Sequence, residues 1–210
     1  MPVPAELADA PAWRVHTRRG LLHPLRVQWG PFSADTVNLR DTRQRGGVLD
    51  IVGGKREFQQ EFSFVIRDTL HAVRWTARCD GRDRERGVTL GSVDVELGSG
   101  MSLDCDLRPG ADSAGQWKLQ LSGRNGSMPG GTIHRADVRY EITGEAYPGD
   151  DETGWPLGYL LSRDGVPVAV VDRTHPGSVR MSPALPADDR ALLAAAATAL
   201  LLQQRLITDD

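Results

Sequence analysis

The side chains best suited to hold a transition metal or move a proton in this chain are His16, His23, His71, His134 and His175, spread along its whole length. No two stand at the i, i+4 spacing that sets a pair of imidazoles on one helix face, so no zinc site is expected from them. Nucleophilic catalysis would call for a serine on a sharp strand-to-helix turn with a partner base. Gly98-Ser99-Gly100 is the nearest approach, but it lacks the Gly-x-Ser-x-Gly frame and lies between two alternating runs, which reads as a hairpin connection. The stretches Gly46 to Gly54 and Gly123 to Gly131 open no helix after a parallel strand, so neither cradles a phosphate. Asp150, Asp151 and Glu152 offer hard oxygen ligands to calcium, yet their spacing is not that of an EF-hand and the run reads as a solvated loop. No catalytic residue, metal ligand or cofactor is assigned, and the chain is read as a non-enzymatic binding protein.

Binding chemistry is better represented. Arg40, Arg43 and Arg45 form one positive segment, and Arg14, Arg18 and Arg19 form another near the start; a lipid headgroup or an acidic protein partner could use both if they meet in space. Arg82, Arg84 and Arg86 are interrupted by Asp83 and Glu85 in what reads as a turn, and that segment neutralises itself. Trp29 in QWGP and Trp155 in GWPLG lie in Gly/Pro turns, where strand alternation does not dictate burial. Such aromatics serve as recognition anchors or as plugs at the ends of a barrel. The candidate ligand-binding residues are therefore Arg40, Arg43, Arg45, Trp29 and Trp155.

The formal net charge of −3, with basic residues scattered among acids, argues against a nucleic-acid partner. Lys55 and Lys118 are the only lysines in a chain rich in Arg, Ala and Gly, the bias of a GC-rich bacterial genome, so arginine number alone carries little functional weight. A hydrophobic fraction of 40% with 25% charged residues is that of a soluble globular protein, here read as one domain and a monomer. The opening MPVPAELADAPAW holds no basic region followed by an apolar run, which favours a cytoplasmic protein over a periplasmic or lipid-anchored one whose signal has been removed. Residues 1–12 are expected to form a flexible tail ahead of a domain spanning 13–210.

The elements that would position these residues are mostly strands. Val73, Trp75, Ala77 and Cys79 alternate with Arg74, Thr76 and Arg78, the period of two that gives a strand one dry and one wet face. Similar alternation runs through Phe62 to Ile66, Val93 to Leu97, Met101 to Leu107, Trp117 to Ser122 and Val138 to Ile142. Leu25 to Trp29 and Val37 to Leu39 read as two short strands about Gly30-Pro31, and Pro129-Gly130-Gly131 reads as a break. Asp164-Gly165 is a favoured two-residue hairpin turn leading into Val166, Val168 and Val170 on one face. Val179 and Met181 mark a last short strand. Cys79 and Cys105 fall on inward faces, where they could pair in an oxidising compartment or serve as small core residues in the cytoplasm.

The segment Ala191 to Gln204, ALLAAAATALLLQQ, is uncharged and apolar on every side of a helix. Such a helix needs apolar surroundings on all sides. It is shorter than the ~20 residues that span a bilayer, so it belongs in a protein interior, not a membrane. Pro186, Asp188 and Asp189 mark its start, and a helix over about 187–205 is expected. Strands with one wet face must meet on their dry faces, so the fold class is a closed or nearly closed antiparallel β-barrel around a hydrophobic C-terminal helix.

The order of a strand, the hairpin SRDGVPVAVVDR, another strand and LPADDRALLAAAATALLLQQ resembles the closing segment of the tubby-like superfamily, which includes tubby C-terminal domains, LURP-one-related proteins and phospholipid scramblases. The resemblance covers the last quarter of the chain and the general run of strands before it, and it is carried by polarity patterns. It implies a closed antiparallel barrel around a hydrophobic C-terminal helix and, for function, binding of a membrane phosphoinositide or of a protein. No binding residue is carried over from that family. The chain is thus expected to be a non-catalytic interaction module that meets a protein or a lipid headgroup through loops at the barrel ends; the alternatives are a scramblase-like peripheral membrane protein that binds anionic phospholipid, and a toxin-immunity or inhibitor protein.

Overall fold

The computed structural model describes residues 2–18, 25–46, 54–70, 74–90, 93–110, 115–124, 127–145, 157–174 and 176–203. After a 3-10 turn at Ala5–Leu7 the strands are β1 (Trp13–Arg14), β2 (His16–Arg18), β3 (Leu25–Trp29), β4 (Phe32–Gly46), β5 (Gly54–Asp68), β6 (Arg74–Leu90), β7 (Val93–Pro109), β8 (Trp117–Arg124), β9 (Gly130–Arg135), β10 (Val138–Glu145), β11 (Gly158–Arg163), β12 (Val166–Asp172) and β13 (Ser178–Met181). The helix α1 (Ala187–Leu202) ends the described chain.

All thirteen strands belong to one antiparallel sheet ordered β1-β13-β12 and so on down to β3-β2. Its two edges, β1 and β2, are separated only by Val15. Trp13 pairs with Val179 on β13, and three residues later His16 pairs with Gln28 on β3. One extended segment thus joins both edges, and the sheet is nearly closed into a barrel, which removes the exposed edges that an open sheet must protect.

The barrel is filled by α1. Ala191 to Leu200 are all buried, with Leu193 and Leu200 at 0% exposure, so every face of the helix meets protein. Phe62, Phe64, Leu103, Leu119, Ile133 and Leu161 from the strands join it in one core. Burying Leu192, Leu193, Leu200 and Leu202 contributes on the order of 10 kcal/mol, comparable to the net stability of a domain. Polar contacts fix the helix along its length. Near its start Arg163 Nη1 donates to Asp189 Oδ2 at 3.1 Å, and in its body Trp29 Nε1 donates to Thr198 Oγ1 at 3.3 Å. At its end Tyr159 OH donates to Gln203 Oε1 at 2.9 Å, and Arg173 donates to the Gln203 carbonyl. The helix stops at Leu202, three residues short of the sequence expectation.

Several local expectations are corrected. Gly98-Ser99-Gly100 is no hairpin connection: β7 runs through it, with Gly100 paired to Arg84 on one side and Arg124 on the other. Likewise β6 runs through Arg82 to Arg86, where a turn was expected. Ladder bonds on both sides outweigh the weak local preference of glycine and charged residues for turns. Gly130 and Gly131 open β9 instead of breaking the chain. The register between β11 and β12 shifts next to Leu161, so Ala169 and Val171 enter the core while Val170 faces outward. A bulge of this kind changes which face the following residues occupy.

Residues 2–12, expected to be a flexible tail, are docked on the barrel. Leu7 at 0% exposure and Ala10 at 4% pack on Val170 and Leu160, and Arg180 Nη1 donates to the Ala10 carbonyl at 2.6 Å. Cys79 and Cys105 lie opposite each other on β6 and β7 and form a buried disulfide, which resolves the two readings left open by sequence.

Candidate ligand-binding face

The outer wall across β4–β7 is built from the wet half of the same alternation that fills the core. On β6, Trp75, Ala77 and Cys79 point inward and are buried, whereas Arg74, Arg78, Arg82 and Arg84 are exposed. The pleat sets successive side chains on opposite faces, and register then aligns the outward ones in rows across neighbouring strands. One row is Ser63, Arg78, Asp106 and Lys118; the next is Val65, Thr76 and Arg108; the last, at the end of the strands, sets Arg67 directly opposite Arg74.

Toward the long ends of these strands the charges are matched. Arg82 Nε lies 2.7 Å from Asp80 Oδ1 and Arg84 Nε 3.4 Å from Glu57 Oε1. The hydrogen bond and charge of Asp80 hold the Arg82 guanidinium above its ordinary pKa. Lys118 pairs with Asp106, and this contact keeps the Asp106 carboxyl below its ordinary range against a smaller opposing effect of burial. The other end is different. Among the described residues Arg67, Arg74 and Arg78 make no ion pair or side-chain hydrogen bond, and Arg108 donates only to the neutral Gln116, at 3.1 Å.

Between these arginines lies a concavity of about 240 Å³, lined by Asn38, Ser63, Thr76, Arg78, Asp106 and Arg108 among others. It combines two guanidinium groups, two hydroxyls and an amide on a rigid sheet surface. Guanidinium and hydroxyl donors are of the kind that form charge-assisted hydrogen bonds to an oxyanion, here beside the Asp106 carboxylate that Lys118 pairs.

The described residues singled out by sequence lie on β3 and β4. Trp29 is 1% exposed and packs on Phe32 and Trp13 with ring centroids 4.6 and 5.9 Å apart, so it plugs the barrel and is not presented to a ligand. Arg40, Arg43 and Arg45 lie on β4, where register sets Arg40 opposite Glu61, Arg43 opposite Gln59 and Arg45 opposite Glu57. Trp155 and the acidic run Asp150 to Glu152 lie outside the described residues. Arg67, Arg74, Arg78 and Arg108 form no cluster in the sequence, because they are spread over β5, β6 and β7 and register brings the three strands together. Among the described residues no group of three or more His, Cys, Asp or Glu side chains is placed to hold a metal ion.

Two tyrosines inside the barrel have raised pKa values. Burial, offset in part by Arg173, pushes Tyr159 up to about 12, and burial together with Asp189 pushes Tyr140 up to about 12. Burial also lowers the pKa of Arg173. Both tyrosines sit beside the polar contacts that anchor the ends of α1, where they act as neutral hydrogen-bonding groups.

No protein-family model matches this chain, and neither a curated protein nor a solved structure shows significant similarity to it.

Proposed function

We propose that this chain is a non-catalytic interaction module of tubby-like architecture that engages its partner through the outer wall of β4–β7. The tubby-like part rests on the sheet that nearly closes around a C-terminal helix buried on all sides. The observation that carries the interaction reading is that Arg67, Arg74 and Arg78 form no ion pair among the described residues, beside a concave polar surface. The barrel interior is occupied by α1, which supports the reading that recognition uses the outer surface. Like charges directly opposite in a sheet are destabilising, and a bound anion relieves that repulsion.

The test is a photo-reactive amino acid placed at Ser63 on this wall, or at the exposed Thr143 on β10 as a control, in the native host. A discrete adduct from position 63 that is missing from position 143 supports the reading. No adduct, or equal adducts from both, contradicts it.

A second reading is favoured by one further observation. Leu70, 71% exposed, sits on the turn after β5, close in sequence to Arg67 and Arg74. An apolar tip flanked by cations suits peripheral docking on an anionic membrane surface. Flotation with vesicles containing phosphatidylserine, lost in Leu70→Ser and at high salt, would favour this alternative over a protein partner.

A further inference from the structure

Resting on the interaction-module reading, we propose that the groove across β4–β7 receives a carboxylate side chain from an extended acidic segment of a protein partner, with a second carboxylate meeting Arg67 and Arg74. Size is the first argument. A volume of about 240 Å³ is below the ~300–1,000 Å³ of sites that enclose a whole small molecule, but it accommodates one side chain whose parent chain lies outside. Charge is the second. Of the charged groups lining the groove, Arg78 and Arg108 are cations, and Asp106, the one anion, is already paired with Lys118, so the groove is positive overall. An acidic side chain suits that charge, and competition with inorganic phosphate separates a carboxylate from a phosphate.

Spacing is the third argument. Arg74 and Arg78 are four residues apart on one strand, which is about 13 Å at the rise of an extended chain. An extended partner lying along β6 presents carboxylates at the same interval when its acids stand four apart. The adjoining surface argues against a bilayer. Glu61, Asp80 and Asp104 are paired in register across β5, β6 and β7, one row from the groove on the side away from Arg74. A flat anionic membrane pressed on this wall would meet those acids, while a peptide segment whose carboxylates reach from Arg74 to Arg78 stops short of that row.

The experiment measures fluorescence anisotropy of a labelled twelve-residue peptide with glutamates at every fourth position, titrated with the full chain. A peptide with glutamine at the same positions, inorganic phosphate as competitor and vesicles containing phosphatidylserine complete the set. The expected result is binding of the glutamate peptide that weakens with salt, with Kd raised at least about tenfold in the double variant Arg78→Ala, Arg108→Ala. Arg139→Ala, on the outer face of β10, is expected to leave Kd unchanged, and unchanged circular dichroism melts confirm that the variants fold. Equal binding of the glutamine peptide, an unaffected double variant, displacement by phosphate at lower concentration than by free glutamate peptide, or vesicle binding without peptide binding would each overturn the proposal. Crosslinks from position 63 that persist without peptide binding would remove this inference and leave the module reading standing; loss of both would remove both.

Discussion

The indole N–H of Trp29 donates to the hydroxyl of Thr198 at 3.3 Å, joining the third strand of the sheet to the middle of the final helix across 169 residues of sequence. Both residues are buried, Trp29 at 1% and Thr198 at 0% exposure. Thr198 is thus the one polar side chain among Ala191 to Leu200, and its acceptor oxygen satisfies a donor that would otherwise be stranded in the core. Thr198→Val keeps the shape but removes that oxygen. It is expected to cost about 1–3 kcal/mol, because the indole N–H is then buried without a partner. Thr198→Ser keeps the acceptor, at the price of one methyl. Urea unfolding of the two variants compares them, and a Val variant as stable as wild type would show that the bond contributes nothing.

Gly131 on β9 lies close against the backbone of β8. A Cβ there would overlap the Gln120 carbonyl oxygen and lie 2.8 Å from Leu121 Cα. Backbone cannot swing aside as a flexible side chain can, so Gly131→Ala is expected to destabilise by more than about 3 kcal/mol and to reduce soluble yield. Gly165→Ala is a useful contrast. Nothing lies within 4 Å of a Cβ there, and the cost is confined to the strain of its φ of +77°. Thermal melts showing the opposite order would contradict the register of β8 and β9.

The docked N-terminal segment carries a separate expectation. Leu7 covers Val170 and Leu160, the part of β11 and β12 that the bulge turns outward. Leu7→Ala is expected to lower stability by about 2–3 kcal/mol. Removal of residues 2–10 is expected to raise binding of an environment-sensitive dye through the exposed apolar stripe. A deletion with unchanged melting temperature and no dye binding would return this segment to the status of a free tail.

Tyr159 gives the pH dependence its sign. Its pKa is about 12 in the folded state, against an ordinary value of 10 when unfolded, because burial disfavours the phenolate. The unfolded chain therefore loses this proton first as pH rises, and stability falls across the window from about 10 to 12. Two pKa units correspond to about 2–3 kcal/mol once both states are fully deprotonated. Tyr159→Phe, which cannot ionise, is expected to lack that portion of the decline. Parallel unfolding curves at pH 9 and pH 11 for the two proteins measure the difference, and identical slopes would place Tyr159 in contact with solvent.

Much of this architecture was legible from periodicity. Trp75, Ala77 and Cys79 alternate with Arg74, Thr76 and Arg78 because one side of β6 is dry, and the uncharged run Leu192 to Leu202, apolar but for Thr198, demanded an interior. Three features escaped for identifiable reasons. The strand β9, GGTIHR, shows no alternation at its start because two glycines open it, Gly131 where a side chain would collide with the backbone of β8. The reversal at Val168 depends on a bulge, which leaves no mark in the alternation itself. The arginine group was hidden because Arg67, Arg74 and Arg108 become neighbours only through strand register, a non-local property. Trp29 was ambiguous in sequence because a turn tryptophan suits a plug and an anchor equally well; its contacts with Thr198, Phe32 and Trp13 are those of a plug.

The claim on which the rest depends is that α1 sits inside the barrel, enclosed on every face. Native-state hydrogen–deuterium exchange of the amides from Ala194 to Leu200 tests it most directly. The expected result is that these amides open only with global unfolding, matching the slowest amides of β6 and β7 in both free energy and denaturant dependence. Exchange of the helix amides well ahead of those strands, with little dependence on denaturant, would contradict it.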